Sequence, residues 1–278
     1  MALTGNSSAD RSTDLGNADE IDVTTPSPAR MYDYYLGGKD NFPADREAAE
    51  KALSVVPCGR QVAWANRKFL VRAVRYLARK GIDQFLDLGT GIPTSPNVHE
   101  VARSVIPDAK VAYVDNDPIV IVHDRALLGS TNEGITAARG DIRYPLNIMT
   151  NHTVRQVVDF NRPVGVLFVA VLHFITDSEN PYESVAVFRD RVPVGSYAVI
   201  SHITSDGTEP RVIATIEETY SQASAPAVFR SREEIERLFD GFELVKPGLV
   251  EVSDWRGNNR KPANPPALRF LGGVGRKR

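Results

Sequence analysis

The sequence predicts an α/β fold in which a doubly wound, mostly parallel sheet is covered by helices on both faces, with a helical cap in front of it. Two observations support this prediction. From residue 84 onwards, short apolar runs of strand-like composition alternate with helical patterns, as they do in parallel sheets. The first of these runs ends in a Gly-x-Gly turn followed by a helical pattern, which is typical of a nucleotide-binding unit.

The residues before this alternation divide into two parts. Residues 1–24 are rich in Ser, Thr, Asn, Asp and Gly and have almost no large apolar side chains, so we expect them to be disordered. Residues 25–80 are predicted to form a helical arm or cap, with helices over residues 43–53 and 61–79. Within this arm, residues 26–42 hold three tyrosines, a Gly-Gly pair and a polar turn, and we expect them to fold over a ligand.

The central motif is Gln84-Phe-Leu-Asp-Leu-Gly-Thr-Gly-Ile-Pro93. Its apolar run predicts a strand, and residues 97–106 are predicted to form the helix that follows. Gly89 and Gly91 let the backbone approach a ligand closely, and a helix start adds free N–H groups and partial positive charge. The motif therefore predicts a nucleotide site at the end of this strand.

The residues around the two glycines indicate which nucleotide the site takes. A dinucleotide site would need a third glycine at position 94, where the sequence has Thr94, so an NAD-dependent oxidoreductase is disfavoured. An acidic residue, Asp87, stands two positions before Gly89. This pattern resembles the first motif of class I S-adenosylmethionine-dependent methyltransferases, whose cofactor ends in an amino-acid group. The resemblance implies that Asp87 meets that end of the cofactor.

Residues 81–278 are predicted to form one domain, with a helical insertion near residues 207–230. Further strands are predicted at residues 110–114, 135–139, 164–172, 196–201, 242–245 and 267–271, the last two being separated by a loop that contains Trp255. Helices are predicted at residues 119–128, 181–192 and 209–222, and a capping box at Ser231 starts another.

Acidic residues also follow the second and third predicted strands. Asp115 ends the second strand, where a carboxylate accepts hydrogen bonds from the ribose hydroxyls of an adenosyl ligand. Asp141 follows the third strand, where a carboxylate can meet an adenine amino group. Each residue alone is more typical of a turn. Because they follow Asp87 in order on successive strands, together they favour an adenosyl site.

Four segments resemble one bacterial family: residues 29–42, 85–93, 114–118 and 171–174. That family consists of S-adenosylmethionine-dependent methyltransferases long known only as a domain of unknown function, and the similarity runs from about residue 21 to residue 275. The resemblance implies a class I, Rossmann-like fold with a seven-stranded sheet, a reversed last hairpin and S-adenosylmethionine as cofactor. It implies no substrate. The candidate cofactor-binding residues are then Tyr32, Asp87, Gly89, Thr90, Gly91, Asp115, Asn116, Asp141, Ile142 and Ala170.

Histidines at strand ends are the candidates for a general base. His173 follows the fourth predicted strand and is the candidate catalytic residue, whereas His202 is a weaker candidate. A Leu-His pair at this place often only walls the cofactor pocket in methyltransferases, so we expect His173 to line the reaction chamber more than to drive proton transfer. No metal site is expected, since no ligand-dense spacing occurs and the single cysteine, Cys58, excludes a CxxC site.

Composition narrows the partners and the location. A net charge of −2 predicts no broad nucleic-acid surface. The longest apolar run, residues 164–172, is far shorter than the ~18–20 residues of a membrane span, so no membrane partner is expected. The first residues show no signal-peptide pattern, and we therefore expect a cytoplasmic location. The sequence leaves the oligomeric state open, with a homodimer as one option.

The sequence thus predicts an S-adenosylmethionine-dependent methyltransferase that acts on an O, N or C nucleophile of a small-molecule acceptor. The N-terminal helices and residues 209–222 would form the substrate cap. The aromatic residues available to stack on a flat acceptor are Tyr32, Tyr34, Tyr35, Trp64 and Tyr220, with core packing as the expected role of Trp64. The alternative is a non-catalytic binding protein that senses S-adenosylmethionine or its demethylated product.

Overall fold

The structure is a computed structural model of the 278-residue chain, and it describes residues 22–128, 133–257 and 267–278. The prediction that residues 1–24 are disordered falls mostly outside these ranges. Within them, no helix is long and apolar enough to cross a membrane.

One sheet forms the centre of the molecule. In the described ranges its strands are β1 Gln84–Leu88, β2 Lys110–Asp115, β3 Ile135–Arg139, β4 Gly165–Val169, β5 Tyr197–Thr204, β6 Phe242–Leu244, β7 Val250–Glu251 and β8 Arg269–Lys277. Their order is β3-β2-β1-β4-β5-β8-β6, with β7 paired to β8 beside this path. Strands β1 to β5 are parallel, whereas β8 is antiparallel to β5 and β6. The predicted α/β fold, with its mostly parallel sheet and reversed last hairpin, is confirmed.

The sheet differs from the prediction at its antiparallel edge. Strand β7 is an eighth strand in a stretch that we predicted as loop, because two residues are too few to produce an alternating pattern. Strand β8 covers residues 269–277 instead of 267–271. The part after residue 271 was not predicted because it is rich in glycine, which is depleted in strands. The glycines are needed because neighbours crowd the backbone: a Cβ at Gly272 would come within 3.0 Å of the Phe69 ring.

Strand β4 is also shorter than predicted. It ends at Val169, and the predicted strand continued to residue 172. Ala170 has a positive φ of 57°, which takes the chain out of the strand and into a short 3₁₀ turn over Leu172–Phe174. The residues after β4 therefore turn across the ends of the strands.

The helices of the described ranges are α1 Pro28–Leu36, α2 Pro43–Val55, α3 Gly59–Arg79, α4 Val98–Arg103, α5 Pro118–Leu128, α6 Pro145–Thr150, α7 His152–Arg155, α8 Pro181–Arg191, α9 Pro210–Ser221 and α10 Arg232–Arg237. Helix α1 packs on α2 and α3, and α2 packs on α9. Helix α3 crosses the sheet over β4, β5 and β8. The two N-terminal helices and α9 thus pack together, and their role as a substrate cap stays a prediction.

Two apolar cores lie on opposite faces of the sheet, because successive side chains of a strand point to opposite sides. On the first strand, Phe85 packs into the core beneath α3, and Leu86 packs into the other core. Trp255 is fully buried in the first core, with its ring edge-on to Phe69 at a centroid distance of 5.5 Å. Both faces are therefore covered, as a doubly wound sheet requires.

The Gly-Gly-Lys-Asp-Asn stretch after α1 is a structural turn. Gly37 ends the helix with a φ of 86°, and a Cβ at Gly38 would lie only 1.8 Å from an oxygen of Asp33. That carboxylate accepts bonds from the Asp40 N–H at 3.0 Å and from the Asn41 side chain at 2.7 Å. Asp33 thus organises the turn, which explains why both glycines and the polar residues occur together.

Candidate active site

Strand β1 lies between β2 and β4, so the chain continues to one side of β1 with β2 and later to the other side with β4. A crevice is expected at the carboxyl ends of the strands at such a switch point. The structure has a cavity of about 440 Å³ at this place. Small-molecule sites occupy ~300–1,000 Å³, so the cavity has room for a ligand of nucleoside size. All ten residues predicted for the cofactor line it: Tyr32, Asp87, Gly89, Thr90, Gly91, Asp115, Asn116, Asp141, Ile142 and Ala170.

Asp87 lies near the end of β1 with only 5% of its surface exposed. Its one side-chain contact among the described residues is a long bond of 3.4 Å from the Thr90 hydroxyl. Burial raises the pKa of Asp87 to about 7, and the nearby charge of Arg67 opposes this shift. A buried carboxylate with so few partners favours a cationic ligand group beside it.

The two glycines of the turn have the conformation that the motif requires. Gly89 and Gly91 have φ values of 67° and 65°. A Cβ at Gly89 would meet the Val171 side chain at 2.2 Å, so no other residue fits there. The expected helix start is absent from the lining: α4 begins only at Val98, and the residues between Gly91 and Val98 form a loop.

Asp115 ends β2 and is 7% exposed. Its two oxygens accept backbone bonds from Gly91 at 3.0 Å and from Asp117 at 2.9 Å. Burial raises its pKa to about 6, while these backbone bonds act in the opposite direction. The residue predicted to bind the ribose thus also ties the glycine turn of β1 to the end of β2.

Asp141 lies in the cavity wall, but both its oxygens accept bonds from Arg143: Oδ1 from Nε at 3.0 Å and Oδ2 from Nη2 at 2.6 Å. Arg143 reaches in addition to Glu179 at 2.7 Å. Arg143 and Glu179 also line the cavity, although neither was predicted from the sequence. Asp141 therefore joins a charged group of three side chains beside the predicted adenine position.

Residues 22–32 form a roof over the cavity. The Ser27 hydroxyl donates to Asp117 after β2, at 2.7 Å. The Ser224 N–H, which follows α9, donates to the Pro26 carbonyl at 2.8 Å. The roof is therefore fastened to the sheet on one side and to the cap on the other.

A buried ion pair anchors this roof to α2. Asp45 is fully buried and lies 3.0 Å from the Arg30 guanidinium, which is 4% exposed. The same carboxylate accepts bonds from the N–H groups of Ser27 and Phe42, both at 2.8 Å. Tyr32, predicted as a cofactor residue, lines the cavity. Tyr34, which we named as available to stack on an acceptor, is in the wall of no cavity found among the described residues and bonds Glu50 instead.

A chain of hydrogen bonds connects the roof to the end of β4. The backbone N–H of Ala170 donates to Ser201 Oγ at 3.0 Å, and that hydroxyl donates to Asn66 Oδ1 at 2.7 Å. Asn66 Nδ2 donates to the Tyr32 hydroxyl at 2.9 Å, which in turn donates to the Ala63 carbonyl at 3.1 Å. Asn66 is 1% exposed and was missed from the sequence, where a polar residue in an amphipathic helix gives no distinct signal.

His173 does not line the main cavity. It lines a smaller cavity of about 60 Å³ that shares Tyr32 and Phe174 with the main one. Burial lowers the pKa of His173 well below its usual value, so its imidazole is neutral. Its Nδ1 is buried and has no hydrogen-bond partner among the described residues. His173 thus lies in the wall of the smaller cavity, and both its place in the reaction chamber and its catalytic role stay predictions.

His202 cannot act as a base in this arrangement. Arg230 Nη1 lies 2.8 Å from His202 Nε2, and because a guanidinium only donates, that nitrogen must be the acceptor. Nδ1 then carries the proton and donates to the Ile203 carbonyl at 2.6 Å. Burial lowers the pKa of His202 to about 3. Both nitrogens are therefore occupied in a neutral ring.

Arg230 is a buried residue whose structural role was not predicted from the sequence. It is 1% exposed and donates to the carbonyls of Leu172 and Ile175 and to the Asp177 carboxylate, at 3.2, 2.8 and 2.7 Å. These partners all belong to the turn that follows β4. Arg230 therefore fixes the segment that carries His173 and Phe174.

The comparisons with known proteins agree with this architecture. The model of the S-adenosyl methyltransferase family matches residues 14–278. A crystal structure of a candidate methyltransferase from Thermobifida fusca YX is similar over 95% of this chain and 100% of its own, with 40% identity and a TM-score of 0.87. A DUF574 family protein from Streptomyces avermitilis MA-4680 is similar over 93% of this chain and 100% of its own, with 38% identity and a TM-score of 0.88. The comparison with curated proteins found no match.

The family match spans nearly the whole chain, including the arm that roofs the cavity and the strands that end in it. Sequence identities of 40% and 38% over full-length neighbours place those proteins in the same group. The chain belongs to the S-adenosyl methyltransferase family, whose members use S-adenosylmethionine.

Proposed function

We propose that this methyltransferase acts on a small molecule, and that part of the acceptor enters the smaller cavity. The observation that carries the proposal is the position of this cavity: Tyr32 and Phe174 belong to its wall and to the wall of the cofactor cavity. A group placed in the smaller cavity therefore lies next to the cofactor. A cavity enclosed by helices of the cap suits a small acceptor better than the surface of a macromolecule.

The residues of the larger cavity fit the cofactor. A glycine turn and the carboxyl groups of Asp87, Asp115 and Asp141 are among the groups that line it, and the Asp87 carboxylate can accept further hydrogen bonds from a cationic ligand group. We propose Asp87 for the amino-acid end, Asp115 for the ribose and the neighbourhood of Asp141 and Ile142 for the adenine. When bound there, S-adenosylmethionine supplies a methyl group on a positively charged sulfur, ready for in-line displacement.

The lining of the smaller cavity restricts the acceptor. None of the residues described in its wall carries a formal charge, and most are aliphatic or aromatic. A charged group would lose its hydration there without gaining a partner, which disfavours phosphate or carboxylate at this end of the acceptor. At about 60 Å³ the space holds a small apolar group. We propose an acceptor with a neutral apolar end and an O, N or C nucleophile towards the cofactor.

Three polar side chains of this wall are available to orient the nucleophile. The hydroxyls of Tyr35 and Tyr220 are 3.4 Å apart, and His173 faces the same space. Burial raises the pKa of both tyrosines and lowers that of His173, so all three are neutral at physiological pH. They can orient a hydroxyl or an amine by hydrogen bonds, and alignment with exclusion of water then provides much of the catalysis.

The test is transfer of a labelled methyl group from S-adenosylmethionine to a metabolite extract. Label in a small, extractable product supports the proposal, whereas label in the protein or nucleic-acid fraction contradicts it. No labelled product, together with intact S-adenosylhomocysteine binding, would favour the sensor alternative.

A variant that fills the smaller cavity sharpens this test. Ala52 lines only that cavity, so Ala52→Leu should abolish or strongly reduce product formation while S-adenosylhomocysteine affinity stays within about twofold. Ala65→Leu, on α3 outside both cavities, is the control. Equal activity of Ala52→Leu and wild type would contradict the proposed acceptor pocket.

A further inference from the structure

Tyr32 of α1 lies in the walls of both the cofactor cavity and the smaller cavity. Its hydroxyl accepts a bond from Asn66 Nδ2 at 2.9 Å and donates its only hydrogen to the Ala63 carbonyl at 3.1 Å. Burial raises the pKa of Tyr32, so the hydroxyl keeps that hydrogen at physiological pH. Tyr32 thus has no donor left for a ligand, and its remaining contribution to the two cavities is its ring.

The Tyr32 ring is held at both ends. Its backbone belongs to α1, whereas its hydroxyl is bonded to two residues of α3, Ala63 and Asn66. Asn66 in turn is fixed by Ser201 of β5, whose hydroxyl donates to Asn66 Oδ1 at 2.7 Å. Ser201 and Asn66 are 0% and 1% exposed, and a buried polar network whose members are paired favours a single arrangement of its side chains. The ring therefore cannot turn aside without breaking buried hydrogen bonds.

Phe174 also lines both cavities, and it too is fixed. It lies in the 3₁₀ turn after β4, where Arg230 donates to the carbonyls of Leu172 at 3.2 Å and of Ile175 at 2.8 Å. The Phe174 ring packs on the ring of Tyr220 with a centroid distance of 5.5 Å. Two anchored aromatic rings thus lie where the cavities adjoin.

We infer that Tyr32 and Phe174 form a rigid aperture between the two cavities, and that this aperture limits the group carried by the cofactor sulfur to a methyl group. In-line displacement places the acceptor atom and the sulfur on opposite sides of the transferred carbon. With the cofactor in one cavity and the acceptor in the other, that carbon lies where the cavities adjoin, beside both rings. The inference rests on the proposed function, and it makes Asn66 and Ser201 positioning residues for the Tyr32 ring.

The aperture predicts a selectivity for the size of the alkyl group. S-Adenosylethionine has one methylene more on its sulfur than S-adenosylmethionine, whereas S-adenosylhomocysteine has no alkyl group there. One methylene too many in a closely fitted site weakens binding by roughly ten- to 200-fold. The dissociation constant of S-adenosylethionine from the wild type should therefore exceed that of S-adenosylmethionine by about tenfold or more. A variant that frees the Tyr32 ring should reduce this ratio of dissociation constants.

The experiment is calorimetry of the full chain with these three ligands. Ser201→Ala removes the hydroxyl that holds Asn66, at a position that lines neither cavity. The Ala170 N–H keeps the Ser201 carbonyl as a partner, at 3.3 Å. We expect the ratio to fall by about threefold or more, while S-adenosylhomocysteine affinity stays within about twofold. Tyr32→Phe keeps the ring but removes its hydroxyl, and it should reduce the ratio as well.

Ser196→Ala is the matched control. Ser196 directly precedes β5 and is 0% exposed like Ser201, and its hydroxyl also accepts a backbone bond, from the Val164 N–H at 3.1 Å. Ser196 lines neither cavity. If the two serine hydroxyls only stabilise the sheet, both variants should lower the melting temperature and neither should change the ratio. A positioning role changes the ratio in Ser201→Ala alone.

Four outcomes overturn the aperture. The first is a wild type that binds S-adenosylethionine and S-adenosylmethionine equally, and the second is an unchanged ratio in a folded Ser201→Ala or Tyr32→Phe. The third is an equal change of the ratio in Ser196→Ala and Ser201→Ala. The fourth is an equal weakening of all three ligands by Ser201→Ala, which would assign Ser201 to cofactor binding in general.

Binding of S-adenosylhomocysteine shows that a variant is folded, and if Ser201→Ala does not fold, Tyr32→Phe decides. Methyl transfer is not the readout, so failure of the aperture leaves the proposed acceptor pocket unaffected. Failure of the wild type to bind S-adenosylhomocysteine would instead remove the cofactor assignment.

Discussion

The three aspartates at the ends of β1, β2 and β3 have different environments although their sequence contexts are alike. Asp87 has almost no protein partner, Asp115 accepts two backbone bonds, and Asp141 is held by Arg143. Their capacity for a ligand therefore decreases from the first to the third. The same residue type at the same kind of position can be a ligand group or a structural support, and only its neighbours decide which.

The first prediction concerns the role of Asp115 in binding the ribose. Asp115→Asn keeps the size of the side chain but removes the charge that strengthens bonds from ribose hydroxyls, so S-adenosylhomocysteine affinity should fall about tenfold or more. Calorimetry measures it, with Asp108→Asn, an exposed position before β2, as the control. Unchanged affinity in Asp115→Asn, or tight NAD binding by the wild type, would exclude the ribose assignment.

The second prediction is that ligand affinity depends on pH through the ionisation of Asp87. In the ligand-free protein its pKa is about 7, raised by burial and to a lesser extent by Asp115, and opposed by Arg67 and Thr90. A ligand ammonium favours the ionised carboxylate, so binding should strengthen as pH rises through 7. Between pH 6 and pH 8 the S-adenosylhomocysteine affinity should increase about tenfold. Asp87→Asn should remove most of this dependence. A wild-type affinity that is flat over this range would contradict the prediction.

At the scale of elements, one buried carboxylate of α2 ties the roof to the rest of the N-terminal arm. One carboxylate, Asp45, connects the start of α1, the guanidinium of Arg30 and the first turn of α2. Because most of the roof residues 22–32 line the cofactor cavity, we expect the stability of the roof and the affinity for the cofactor to be coupled. The polar turn after α1, in contrast, is organised by Asp33 and does not reach the cavity.

Asp45→Asn tests this coupling. Removing one partner of a buried ion pair costs ~3–5 kcal/mol, so the free energy of unfolding should fall by about that amount. S-Adenosylhomocysteine affinity should fall as well, because the roof loses its anchor. Glu50→Gln on the same helix is the control: its pair with Arg60 is 57% and 41% exposed and should contribute at most ~1 kcal/mol. Chemical denaturation and calorimetry provide both readouts, and a loss of stability without any loss of affinity would show that the roof is independent of binding.

At the scale of the whole molecule, buried carboxyl groups at and near the cofactor site lower the stability of the folded state at neutral pH. Burial raises the pKa values of Asp87, Asp115 and Asp124 to about 7, 6 and 8. Asp124 lies on α5, is 3% exposed and has one oxygen without a partner among the described residues. Such raised pKa values mean that the folded state binds these protons more tightly than the unfolded state. Their stabilising contribution is complete below pH 4 and is lost as pH rises towards 8.

The ligand-free protein should therefore lose stability between pH 6 and pH 8, and S-adenosylhomocysteine should reduce this loss. Asp124→Asn should stabilise the protein at pH 8 by roughly 1–3 kcal/mol, with little gain at low pH, because the amide resembles the protonated acid. Asp124 does not line the cavity, so the variant should leave the affinity for S-adenosylhomocysteine intact. Melting temperatures over pH 5–8, with and without ligand, measure both effects. Equal stabilisation at pH 5 and pH 8 would show that the carboxylate charge is not the cause.

The sequence by itself determined the fold class and ten of the positions that line the cofactor cavity. Apolar runs alternating with helical patterns predict a parallel sheet, and the topology of such a sheet brings the ends of its strands together. That residues at the ends of successive strands, such as Asp87, Asp115 and Asp141, come together can therefore be predicted without the tertiary structure. Gly89 could be predicted for the same local reason, since its conformation is a property of the turn.

Only the tertiary structure decided which side chains come from elsewhere in the chain. Asn66 on α3 and Arg230 before α10 have ordinary polar contexts in the sequence, and their roles arise from the packing of distant elements. The same holds for His173, which follows β4 but turns into the smaller cavity because Ala170 bends the chain there. Local sequence patterns depend on backbone conformation and burial. Which residues far apart in the chain become partners depends on how the helices and strands pack, and a local pattern does not contain that information.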